Sequence, residues 1–149
     1  MSHSIKALAT AFRRAMEVSG VKADIVFRNF PRGSCGDASL LLSEFLRSHG
    51  ISEIEYVVGW ASQDSGSRRS HAWLELEGLI VDITADQFSN RPAPPVFITR
   101  SRTWHAHFSE DDRHPASISA YDPATRGRLL ALYADVMAHI PASLGGGAG

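Results

Sequence analysis

His71-Ala72-Trp73-Leu74-Glu75-Leu76-Glu77-Gly78-Leu79-Ile80-Val81-Asp82-Ile83-Thr84 is the stretch from which the fold can be read. From His71 to Glu77, Ala72, Leu74 and Leu76 fall on one side and His71, Trp73 and Glu75 on the other, the two-residue period of a strand. Leu79 to Thr84 is a second run of strand formers. Only Gly78 and its neighbours separate the two, which predicts a tight antiparallel hairpin. Upstream, Ile54 to Trp60 is again rich in strand formers. Residues 61–70 between them are polar and predict a flexible connection. Downstream, Pro92 to Pro95 predicts a turn or extended piece and Val96 to Thr99 another short strand.

Helices flank this sheet. Residues 4–19 carry Ile5, Leu8, Phe12, Ala15 and Met16 at helical spacing, with Ser4 as cap and Gly20 as terminator. A second helix is expected from about Ser34 to Ser48, with Ala38, Leu41, Leu42 and Phe45 on its apolar side and His49-Gly50 at its end. Ser34 and Asp37 have the spacing of a capping box. Asp122-Pro123 predicts the start of a last helix, with Leu129, Leu132, Tyr133, Val136 and Ile140 on one side. The order helix, helix, strands, helix indicates an α+β fold. One domain is expected over 1–144, followed by a disordered glycine-rich tail at 145–149.

Composition narrows the function classes. The chain has 149 residues, 44% hydrophobic and 21% charged, with a formal net charge of −1. That is enough for one hydrophobic core. It lacks the broad basic footprint of a nucleic-acid binder, and no apolar run approaches a membrane span. Met1-Ser2-His3-Ser4-Ile5-Lys6 has no apolar signal-peptide core. With one cysteine, neither an internal disulfide nor a zinc ribbon of several thiolates can form. The expectation is a soluble cytoplasmic protein without a cofactor.

That single cysteine, Cys35, falls at the start of the second helix. There the free N–H groups and the helix dipole favour a thiolate, and the same N–H groups can hold an oxyanion. Gly33 and Gly36 on either side leave room for a close approach. His71 lies on one hairpin strand and Asp82 on the other. Across the pair, Asp82 can accept from one ring nitrogen of His71 and leave the other for Cys35. Nucleophile, base and orienting carboxylate are thereby placed on three neighbouring elements.

Gly33-Ser34-Cys35-Gly36-Asp37-Ala38, followed by Leu40 to Leu46 and His49-Gly50-Ile51, resembles the nucleophile helix of the transglutaminase-like superfamily. His71-Ala72-Trp73-Leu74-Glu75 resembles that superfamily's His-Ala-Trp-x-Glu strand, and Val81-Asp82-Ile83-Thr84 its Asp-x-Thr strand. The resemblance covers roughly residues 30–88. It implies a papain-like core, a nucleophile helix packed on a small antiparallel sheet, and a Cys35-His71-Asp82 triad. It also implies acyl transfer through a thioester, as hydrolysis of amide bonds (peptidase, amidase or deamidase) or as transglutamination. Trp73 and Glu75 match positions that are usually structural. Trp73 is assigned to a wall of the cleft, with core packing as the alternative. Asn29 and Gln87 are the candidates for a second oxyanion donor, Gln87 also as a substrate-binding residue. The loop at 61–70 could gate the cleft.

Two other readings differ in class. His105 and His107, on the same side of a strand and close to Glu110, Asp111, Asp112 and His114, could hold a divalent metal, although the segment is short and polar and reads more readily as a solvated surface stretch. Alternatively the chain is a binding module that keeps the fold without the chemistry.

Overall fold

The computed structural model describes residues 3–63 and 65–145. Three helices and five antiparallel strands make an α+β domain. The helices are α1 (Ile5–Val18), α2 (Cys35–Ser48) and α3 (Pro123–Met137). The strands are β1 (Ile54–Ser62), β2 (Arg68–Leu76), β3 (Leu79–Asp82), β4 (Phe97–Thr99) and β5 (Ser109–Pro115), in the order β4-β3-β2-β1-β5. The tail expected to be disordered lies, from residue 146 onward, outside the described residues. Among the described residues, no helix is long and apolar enough to cross a membrane.

Both outer helices start as their caps predict. The Ser4 hydroxyl accepts from the Ala7 N–H at 3.1 Å, and the Asp122 carboxylate accepts from the Ala124 and Thr125 N–H groups ahead of Pro123. The capping box expected at α2 does not form. Ser34 turns its hydroxyl onto the Pro31 carbonyl at 3.2 Å, and Asp37 pairs with Arg128 on α3 at 2.9 Å. The start of α2 therefore keeps its N–H groups free of side-chain caps.

The sheet separates two apolar layers. On one face, Leu8, Phe12 and Met16 of α1, Leu41, Leu42 and Phe45 of α2, and Leu129 and Val136 of α3 close over Leu74, Leu76 and Val81. On the other, Val57, Trp73 and Ile80 pack against Phe88 and Phe108, which come from connections rather than helices. The alternation read along 71–77 thus separates two buried faces, not a buried face from a solvated one. Burial of this apolar surface, at roughly 25 cal/mol per Å2, is the main force holding the layers together.

Two details of the sheet position the site. β2 and β3 pair with Leu74 opposite Val81, so continuing the register would set Thr84 opposite His71. β3 stops at Asp82, however, and leaves the edge of β2 open beside His71 and Ala72. On the far side His71 stands opposite Gly59 of β1. A Cβ on Gly59 would lie 2.9 Å from both the Phe108 Cβ and the Ser109 carbonyl. Only glycine leaves room for Phe108 to approach β1 there, where the β1–β5 register also shifts.

The β1–β2 connection is shorter than the expected 61–70. β1 runs on to Ser62, β2 begins at Arg68, and the Gln63 N–H donates to the Ser67 carbonyl at 2.8 Å. The segment expected to carry two histidines on one side of a strand is instead a short turn, His105–His107, leading into edge strand β5. Residues after β3 are tied down by Arg13 of α1, which is 7% exposed. Its guanidinium makes two bonds of 2.8 Å to the Asp86 carboxylate and donates to the Ile83 carbonyl at 2.7 Å. This planar fork fixes the turn that carries Gln87.

Candidate functional site

Cys35 is the first residue of α2 and is half-buried. It meets β2 at the open edge left by β3, where the Ala72 N–H and the His71 ring are its polar partners. Burial alone favours the neutral thiol. The His71 ring and the Ala72 N–H outweigh it and hold the Cys35 pKa below the usual thiol value.

His71 is fully buried, ringed by Phe88, Phe108, Trp73 and Trp104 at centroid distances of 5.0, 5.3, 5.6 and 5.8 Å. Such an apolar cage lowers the pKa of an imidazole. The charge of Asp82 and its hydrogen bond, with a smaller contribution from Cys35, reverse the sign and raise the His71 pKa from 6.5 to about 9. The Nε2 of His71 lies 2.7 Å from Asp82 Oδ2, which leaves Nδ1 for Cys35. The Gln87 amide nitrogen is 3.2 Å from that same Nδ1. The two shifts, Cys35 down and His71 up, act in the same direction, toward a thiolate–imidazolium pair.

Asp82 is 1% exposed. Burial raises a carboxyl pKa, but the His71 charge and the ring N–H groups of His105 and His71 hold Asp82 well below the usual carboxylate range. Its Oδ1 accepts from the Thr84 N–H at 2.9 Å. Its Oδ2 is shared, since His105 Nε2 also lies 2.7 Å away. His105 is buried, and its Nδ1 has no hydrogen-bond partner. Asp82 is therefore fixed by three donors, of which His105 comes from 23 positions further along the chain.

The sequence-derived residues separate into two groups. Cys35, His71, Asp82 and Gln87 come together. Asn29 is exposed, and its carbonyl accepts from the Arg32 N–H. Trp73, assigned to a cleft wall, is 2% exposed in the second core layer, with its indole N–H donating to Glu75 at 3.0 Å. Glu75 also receives Arg113 of β5 at 3.1 Å and Arg102, so the buried carboxylate ties β2 to β5 and to the 100–104 connection.

Sequence reading missed two residues in this role. His105 was considered only as a metal ligand beside His107. The structure turns His105 inward to Asp82 while His107 is exposed, so the two do not share a face. The other is Tyr56 on β1, whose hydroxyl would lie 2.9 Å from a Cβ placed on Gly36. Burial, and next the charge of Cys35, raise the Tyr56 pKa, so it stays a neutral O–H donor next to the sulfur. Its place in an alternating strand gave no sign of this, because the contact depends on where α2 lands. Among the described residues, His71, Asp82 and His105 form the cluster whose ligand atoms lie within 4.8 Å of one another. The carboxylate oxygen between them already accepts two ring N–H groups, and all three side chains are buried.

Compared with protein-family models, with curated proteins and with solved structures, the chain matches none.

Proposed function

We propose that the chain is a cysteine-dependent acyl-transfer enzyme with a papain-like, transglutaminase-like core, acting as a hydrolase of amide bonds in a peptide or protein substrate. The observation that carries this reading is the line Cys35–His71–Asp82: a half-buried thiol of lowered pKa at a helix start, a histidine of raised pKa, and a buried carboxylate 2.7 Å behind it. A structural cysteine buried among apolar groups has the opposite pKa shift.

In the proposed reaction the Cys35 thiolate attacks the carbonyl carbon of the amide. The developing oxyanion is held by backbone N–H groups at the start of α2, with the Gln87 amide and the Tyr56 hydroxyl as side-chain donors in reach of the site. The His71 imidazolium gives its Nδ1 proton to the leaving nitrogen, the C–N bond breaks, and a thioester remains on Cys35. His71, now neutral, takes a proton from water as the water attacks the thioester. The carboxylic acid leaves and the thiolate–imidazolium pair is restored. Asp82 keeps Nε2 protonated throughout and so keeps the lone pair on the side facing the sulfur. An amine in place of water gives transamidation by the same steps.

The test is intact-mass spectrometry after rapid quenching with activated acyl donors, p-nitrophenyl esters and glutamine-containing peptides. The expected result is a single acyl adduct that fragmentation places on Cys35. No adduct with any donor, or adducts on surface lysines only, would overturn the proposal.

A further inference from the structure

Behind the aromatic cage of His71 lies a second concavity, of about 170 Å3, bordered by Arg69, Phe88, Asn90, Arg91, His107 and Phe108. Phe88 and Phe108 form the wall it shares with the His71 ring. No acidic residue lines it among the described residues. The Arg69 guanidinium lies over the Phe88 ring at 4.4 Å, and that of Arg91 over the Trp104 ring at 5.0 Å. One Nη of Arg91 donates to the Trp104 carbonyl at 2.6 Å, while its Nε is buried without a partner.

Five arginines of this chain, Arg13, Arg47, Arg102, Arg113 and Arg128, are neutralised by carboxylates. Among the described residues the other arginines are not, and of these Arg69, Arg91 and Arg126 are partly withdrawn from solvent. Arg126 donates to the Ser119 and Tyr121 carbonyls, whereas Arg69 and Arg91 border the hollow. Two guanidiniums held by aromatic faces converge on one hollow, and one leaves a buried N–H donor unsatisfied. Such an arrangement costs free energy until an acceptor arrives. The fixed planar donors suit a carboxylate or phosphate group bound through parallel N–H bonds.

We propose that this hollow is a binding site for a small oxyanion group, a carboxylate or a phosphate, held between Arg69 and Arg91. The site needs no chemistry at Cys35. It stands or falls separately from the enzymatic reading.

Calorimetric titration of the full chain with inorganic phosphate and, in parallel, with succinate tests it. Saturable binding of at least one is expected, and the preferred probe identifies the oxyanion. Arg69→Gln and Arg91→Gln are each expected to weaken it about tenfold or more, the effect of losing one charge-assisted contact. Cys35→Ala is expected to bind as the parent does. Because Arg91 also supports the Trp104 backbone, Arg69→Gln decides the matter if Arg91→Gln lowers the melting temperature. Absence of saturable binding for both probes would overturn the proposal. So would unchanged affinity in a folded Arg69→Gln protein.

Discussion

Asp82→Asn is expected to leave Cys35 in place and remove its reactivity. Asp82 Oδ2 accepts from both His71 and His105 inside the fold. The amide that replaces it is neutral, and one of its two ends donates rather than accepts. His71 then loses the charge that holds its pKa at about 9, and burial drives that pKa down. Without an imidazolium beside it, Cys35 returns toward the neutral thiol, and the ring tautomer that faces the sulfur with a lone pair is no longer selected. A loss of about 10^3–10^4-fold in turnover is expected, in line with removal of an orienting carboxylate from a triad. Global stability falls as well, by about 3 kcal/mol, because two buried rings lose their acceptor.

The pH dependence of stability carries the same signature. The pKa of Asp82 is depressed in the folded state, so its stabilisation is fully present above its unfolded value, about 3.9. It is lost as the pH falls through the depressed folded value. His71 has the opposite sign. Its stabilisation is full below about 6.5, and it is lost as the pH rises through about 9. Urea unfolding as a function of pH is expected to show both limbs in the parent. In Asp82→Asn the alkaline limb of His71 disappears and the Asp82 acid limb goes with the carboxylate. Burial then sets the His71 pKa below its unfolded value, so stability falls instead as the pH drops below about 6.5.

Cys35→Ala is the second large effect. Removing the sulfur removes the bond-forming atom, so turnover is expected to drop by about 10^4-fold or more, to whatever positioning alone contributes. The fold is expected to survive, since a half-buried side chain at a helix start has little packing to lose. Rates on the best donor found by mass spectrometry check the first expectation and a thermal melt the second. Residual turnover within tenfold of the parent would place the chemistry elsewhere.

The hairpin from His71 to Thr84 was legible because strand alternation and Gly78 act within a few residues of each other. Cys35 at a helix start was legible for the same reason. The limits of the reading have physical causes. β5 is largely exposed and reads Ser-Glu-Asp-Asp-Arg-His-Pro, with no apolar alternation, so it looked like a solvated segment. It is held by β1 and by Arg113, which reaches Glu55, Glu75 and Glu110 at 3.0, 3.1 and 2.8 Å. The alternation along β2 separates two sides without saying what covers either, so it could not decide between a cleft wall and core packing for Trp73, which shares a side with His71. The turn at His105–His107 and Phe88 cover that side. His105 lies beyond any local pattern, since its contact with Asp82 depends on the path of the chain after β4. The two arginines of the second hollow, Arg69 and Arg91, stand 22 positions apart in the sequence and share no local pattern. Arg91 joins Arg69 through folding alone.

The most direct measurement is the rate of Cys35 alkylation by iodoacetamide across pH, in the parent and in Asp82→Asn. In the parent the rate is expected to stay on a plateau well below the ordinary thiol pKa, about 8.5, and Asp82→Asn is expected to move the inflection upward toward that value. A parent profile with a single inflection near the ordinary value, unchanged by the substitution, would contradict the coupling of Cys35 to His71 and Asp82.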